Sequence, residues 1–170
     1  MLDYRADHYY LFDEMQAYLQ GVAAAHPGLV ELRSIGKSAE GRDIWLLAIT
    51  DLASGAFDDK PAYWIDGNTH ASEVMGSAAC LYTIDYVVKN AGSEEIAQLL
   101  QVATLYVVAR INPDGAEFCL THNQYVRSAP RLYPDEARAA GLIVEDVDGN
   151  GELLQMRVVS EDGAWRVSVR

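Results

Sequence analysis

Ala62-Tyr63-Trp64-Ile65-Asp66-Gly67-Asn68-Thr69-His70-Ala71-Ser72-Glu73 is the stretch on which the reading of this chain turns. Ala62 to Ile65 is a short apolar run of aromatic and β-branched side chains, the composition of a buried strand. It runs into Asp66 to His70, and a helical pattern follows from Ser72 to Val88. Gly76, Ala78 and Ala79 in that pattern are small enough to let a helix lie close on a sheet. The stretch is therefore a strand-to-helix junction. The carboxyl end of a sheet strand is where α/β folds gather their ligands.

The same alternation continues on both sides. Downstream, Gly92 stops the helix, Ser93 with Glu94 and Glu95 can open another, and Thr104 to Ala109 is an apolar strand ending at Asn112-Pro113-Asp114-Gly115. Upstream, Leu11, Met15, Tyr18, Leu19 and Val22 stand at helical spacing between His8 and Ala25, and His26-Pro27-Gly28 stops the pattern. Leu29 to Ile35 and Asp43 to Asp51 read as strands of a hairpin. Its connector, Gly36-Lys37-Ser38-Ala39-Glu40-Gly41-Arg42, is explained by loop chemistry and receives no catalytic role. Ala53 to Lys60 is a polar loop. The order predicts an α/β fold with helices packed on one sheet. From about Ser128 the chain changes character, with Pro130, Pro134, scattered charges and a final alternating run, Leu153 to Val159, that predicts a strand. No linker divides residues 1–170, so they read as one domain with 128–170 as an excursion.

Composition narrows the function. The chain has 170 residues, half of them apolar and 22% charged, as in globular domains. Its formal charge is −12, which repels phosphate backbones and excludes nucleic acid as the expected partner. No apolar run approaches the roughly 20 residues of a membrane span, so no membrane partner is expected. No signal peptide is visible, and the compartment is not readable. Cys80 and Cys119, both in apolar helical stretches, read as two buried thiols rather than a bridge.

Three groups carry chemistry. His70 and Glu73 form a His-x-x-Glu spacing, and imidazole nitrogen with carboxylate oxygen suits zinc. At a helix start the two would share a face. The competing reading is a helix N-terminus whose exposed amides are offset by Ser72 or Glu73. Asn112-Pro113-Asp114-Gly115 has the signature of a type I turn. Arg127, further on, could polarise a carbonyl and stabilise an oxyanion, or simply be a solvated arginine.

Taken together, His-x-x-Glu after a Trp-Ile-Asp strand, Asn-Pro-Asp-Gly after an apolar strand and then Arg127 resemble the zinc carboxypeptidase family. Tyr18-Leu19, His26 to Val30 and Ile35 to Ile44 look like that family's opening helix and first hairpin, so the resemblance reaches to about residue 130. It implies a three-layer sandwich around a mixed β-sheet, carboxypeptidase-like (the phosphorylase/hydrolase-like fold), here incomplete. It implies one zinc ion with His70 and Glu73 as its first two ligands. Arg127 would touch substrate, steadying the tetrahedral intermediate, and the substrates would be peptide or protein C-termini. In such enzymes zinc activates water for attack on the C-terminal peptide bond, and a glutamate is the general base.

The family's third ligand, a downstream histidine, has no match here. His122 follows the Asn-Pro-Asp-Gly segment too closely, and His8 and His26 precede the metal motif. The carboxylate-gripping Asn-Arg pair, the capping tyrosine and the glutamate base are also unmatched, as expected if the chain stops before them. The 170 residues are then expected to be inactive alone, and an open sheet edge to favour self-association. Two alternatives remain: a zinc-dependent amino-acid deacylase of the same fold, and a non-catalytic domain holding Ca²⁺. The latter rests on Asp146, Asp148 and Asn150, which with Gly151 match the first half of a calcium loop, although Arg157 stands where the twelfth position needs a glutamate.

Overall fold

The computed structural model describes residues 4–130, 146, 149–151 and 161–162. The chain divides into two compact units, Met1–Arg131 and Leu132–Arg170, and all the described helices and strands lie in the first. In order these are α1 (Phe12–Ala25), β1 (Val30–Lys37), β2 (Asp43–Ile49), β3 (Ala62–Asp66), α2 (Val74–Lys89), α3 (Glu94–Val102), β4 (Thr104–Val108) and α4 (Pro113–His122). The loop between β2 and β3 contains two short 3₁₀ turns, Leu52–Ser54 and Phe57–Asp59.

The sheet runs β1-β2-β4-β3 and is mixed. β1 and β2 form the antiparallel hairpin, β2 and β4 are antiparallel, and β3 lies parallel to β4, joined to it through α2 and α3. In a strand alternate residues face one side, and one side of this sheet carries Val30, Leu47, Ile49, Leu105 and Val107. These pack into one core with Met15, Tyr18, Leu19 and Val22 of α1, Leu81 and Ile84 of α2 and Leu100 of α3. Leu47 and Ile49 are fully buried, each worth about 2 kcal/mol by the apolar area it removes from water. On the other face Leu46, Ala48 and Val108 are buried as well. The architecture is the expected α/β fold, a mixed sheet with helices packed on it.

Several details differ from the sequence reading. The first helix begins at Phe12, not His8, because the backbone at Leu11 is extended and the amides of Leu11 and Phe12 are taken by the carboxylates of Glu14 and the distant Glu117. β3 is not a buried strand. It is the sheet's edge among the described residues, with Tyr63 64% and Trp64 52% exposed. Asn112-Pro113-Asp114-Gly115 is not an isolated turn: it opens α4, with Pro113 in the first helical turn, where its missing N–H costs nothing. Cys80 is buried, and burial followed by the Asp66 charge pushes its thiol up to about 11, whereas Cys119 is only half-buried. The predicted strand Leu153 to Val159 lies outside the described residues. No helix among the described residues is long and apolar enough to cross a membrane.

Two glycines let α2 close onto the end of β3. A Cβ on Gly67 would lie 2.5 Å from the Gly76 carbonyl oxygen and 3.0 Å from the Cys80 sulfur. Gly67→Ala is therefore expected to lower stability by about 2 kcal/mol, the range of core overpacking. Gly21→Ala, where nothing lies within 4 Å, should raise stability by up to about 1 kcal/mol through helix propensity. Urea midpoints of the two variants should move in opposite directions.

Candidate functional site

The parallel ladder of β3 and β4 does not stop at the strand ends. Gly67 N donates to Val108 O (3.1 Å), Ile111 N to Gly67 O (3.0 Å) and Asn112 N to Asn68 O (3.2 Å). Two loops thereby leave the sheet side by side. On the first, Asn68 turns the chain with φ of +57°, a conformation asparagine tolerates better than most residues. Its buried side chain then donates to the carbonyls of His70 (2.7 Å) and Ala71 (3.1 Å).

That turn holds His70 and Glu73. They do not lie on the helix, as the spacing suggested, but in the turn before it, closed by Glu73 N donating to His70 O (3.1 Å). The side chains still converge: His70 Nδ1 is 2.8 Å from Glu73 Oε2, and both are accessible, 37% and 58% exposed. Glu73 occupies the N-cap position of α2 but makes no capping hydrogen bond with its side chain. The carboxylate faces the imidazole instead, contrary to the reading in which Glu73 merely offsets helix amides. Donors of a tetrahedral zinc ion stand roughly 3.4 Å apart at bond lengths of about 2.1 Å. The pair would need to part by little more than half an ångström, so donor types, accessibility and spacing all fit that metal. Among the described residues no group of three or more His, Cys, Asp or Glu converges.

On the second loop, Asn112 caps α4. Its Oδ1 accepts from Gly115 N (3.0 Å), and its Nδ2 donates to Ser128 O (2.7 Å). Ala71 N donates to Arg127 O (2.9 Å). The segment carrying Arg127 is thus bonded by its backbone to the residue that follows His70, while its own side chain is exposed. Gly115 permits this closeness, since a Cβ there would lie 2.5 Å from both Ala71 Cβ and Ser128 O.

Asp114, which received no role from the sequence, is the buried anchor of the α4 terminus. It accepts from Ser38 Oγ (2.6 Å), Glu40 N (3.0 Å) and Arg42 Nη1 (2.8 Å). The connector read as a plain hairpin loop is therefore clamped onto the helix that leads to the Arg127 segment. Burial pushes the Asp114 carboxyl up, but the hydrogen bonds from Ser38, Arg42 and the Glu40 amide outweigh it and hold it below the usual carboxylate range. A cavity of about 300 Å³ beside the clamp is lined by Glu40, Arg42, Phe118 and His122, and includes neither His70 nor Glu73. Arg110, also buried, donates through Nη2 to Tyr10 O (2.7 Å), and burial brings its guanidinium down to about 10, partly offset by Glu117.

The calcium expectation gains no support. Asp146 directs its carboxylate at its own backbone, accepting from the amides of Gly149, Asn150 and Gly151, and Asp148 lies outside the described residues.

The parallel strands of this α/β sheet thus end in an accessible His/Glu pair and, tied to it through the backbone, the segment that carries Arg127. Comparison with known proteins gives the class. A family profile of zinc carboxypeptidases matches residues 15–150. Carboxypeptidase D of Mus musculus is 32% identical over 111 residues, covering 65% of this chain and 8% of its own length. Carboxypeptidase B of Astacus astacus is 33% identical over 119 residues, covering 70% of this chain and 37% of its own. Among solved structures, carboxypeptidase A from Helicoverpa armigera superposes with a TM-score of 0.66 at 28% identity, covering 78% of this chain and 31% of that one. Thrombin-activatable fibrinolysis inhibitor gives 0.70 at 25%, covering 78% and 33%. This chain belongs to the zinc carboxypeptidase family, and it spans well under half the length of these relatives.

The Asp114 clamp has a pH signature. A carboxyl held low in the fold stabilises it fully above its unfolded pKa of about 4, and that contribution is lost as pH falls through the lower folded value. Asp114→Asn should cost about 2 kcal/mol near neutral pH, with the gap to the wild type closing as pH drops below about 4. Denaturation midpoints across pH test this, and a gap independent of pH would contradict it.

Proposed function

We propose that this chain contributes two zinc ligands and the carbonyl-polarising arginine of a zinc-dependent metallocarboxypeptidase acting on peptide or protein C-termini. The observation that carries this reading is the 2.8 Å approach of His70 Nδ1 to Glu73 Oε2 at the carboxyl end of β3, in a chain of the zinc carboxypeptidase family. His70 supplies an imidazole nitrogen and Glu73 a carboxylate oxygen. Bound there, zinc supplies Lewis acidity toward a carbonyl oxygen and toward water. Arg127 presents a fixed positive charge and several N–H donors to a substrate carbonyl oxygen, where negative charge grows during hydrolysis. The third ligand and the general base are assigned to residues other than those described, with 128–170 an excursion from the catalytic domain.

Zinc titration by calorimetry tests this reading. The wild-type chain should bind zinc saturably, and His70→Ala and Glu73→Ala should each weaken binding by at least about tenfold. Binding unchanged in both variants would sink the assignment. With two ligands and no base assigned among the described residues, the 170-residue chain should release no C-terminal residue on its own, and robust chelator-sensitive cleavage would contradict that part.

The exposed edge of β3, with Tyr63 and Trp64, supports self-association of this chain. Sedimentation at rising concentration should show species larger than a monomer, and a monodisperse monomer at high concentration would oppose the idea.

A further inference from the structure

We propose that Asn112 is a positioning residue of this site, its side-chain amide holding the Arg127 segment against the His70–Glu73 turn; the proposal rests on the zinc peptidase reading above. Five hydrogen bonds close a ring through it. Asn112 Nδ2 holds Ser128 O (2.7 Å), the neighbouring Arg127 O accepts from Ala71 N (2.9 Å), and Asn68 Nδ2 gathers the carbonyls of His70 and Ala71 (2.7 and 3.1 Å). Asn112 N completes the circuit at Asn68 O (3.2 Å).

A cap alone would not require asparagine here. Capping uses an acceptor, and Oδ1 provides it to Gly115 N (3.0 Å); aspartate and serine cap about as well. The amide also carries donors, and Nδ2 spends one on Ser128, across a contact too close for any side chain on Gly115. There the Asn112 nitrogen itself lies 2.8 Å from where a Cβ would stand. Arg127 is exposed, so what ties its segment to the His70–Glu73 turn is its backbone. That backbone is fixed by two bonds: Ala71 N to Arg127 O, and Asn112 Nδ2 to Ser128 O.

Asn112→Asp separates the two roles. It keeps the cap acceptor and replaces the donor by an anionic oxygen facing the Ser128 carbonyl. Asn112→Ser keeps the cap without adding charge. Amide hydrogen exchange of the full chain reads the outcome, with Ala71 reporting the Arg127 bond, Gly115 the cap and Gly67 the strand ladder. In both variants exchange at Ala71 should quicken about tenfold, the scale of one hydrogen bond lost, while Gly115 and Gly67 change by less than about threefold. Unchanged exchange at Ala71 in both variants would overturn the proposal and reduce Asn112 to a cap. Acceleration equal at all three amides would overturn it too, since it would mark a general loss of stability. Zinc titration of the wild-type chain alongside keeps the two readings apart. Faster exchange confined to Ala71 without zinc binding at His70 and Glu73 would overturn the proposal through the reading it rests on, not through the bridge.

Discussion

Parallel pairing of β3 with β4 is the constraint from which the site follows. Parallel strands leave a sheet on the same side, and here the ladder runs on past both strands, so that Gly67 and Asn68 still face Ile111 and Asn112 where regular structure has ended. The turn bearing His70 and Glu73 and the start of α4 are neighbours for that reason. The pairing depends in turn on α2 and α3, which return the chain to the same side of the sheet and bury Leu81, Ile84 and Leu100 against Leu105 and Val107. Core packing and site geometry are thus one arrangement, seen from the middle of the strands and from their ends.

At the strand ends the chain favours small and amide-bearing residues over bulk. Gly67 and Gly76 let α2 press onto β3, and Gly115 lets α4 approach Ala71 and Ser128. Asn68 and Asn112 then use their side-chain amides to gather the carbonyls of His70, Ala71 and Ser128. Asp114, near the start of α4, does the converse and accepts from Ser38, Arg42 and the Glu40 amide. The result is a hydrogen-bonded floor above which the His70, Glu73 and Arg127 side chains remain accessible, the distribution a site needs if its reactive groups are to be both held and reachable.

Much of this was legible in the sequence because it rests on local patterns. The helix face of Met15, Tyr18, Leu19 and Val22, the hairpin and the strand of Thr104 to Val108 each repeat at a period set by their own backbone. The His-x-x-Glu spacing picked out two side chains that the fold brings within 2.8 Å of each other. What escaped the sequence depends on partners far along the chain. Tyr63 and Trp64 look the same in an edge strand as in a central one, and only the strand order exposes them. Asn112-Pro113 satisfies a type I turn and a helix start equally, because the first turn of a helix is such a turn; contacts to Ser128 and Ser38 decide the matter. The role of Asp114 spans more than seventy positions, which no local pattern encodes. Glu73 could have capped α2, and only coordinates show its carboxylate turned to His70.

The central claim is that His70 and Glu73 together hold zinc. X-ray absorption at the zinc edge, recorded on the chain loaded with one equivalent, addresses it most directly. The account predicts a first shell of nitrogen and oxygen at about 2.0–2.2 Å, with the outer-shell scattering of one imidazole, which disappears in His70→Ala. A spectrum without imidazole scattering, or one that His70→Ala leaves unchanged, would contradict it.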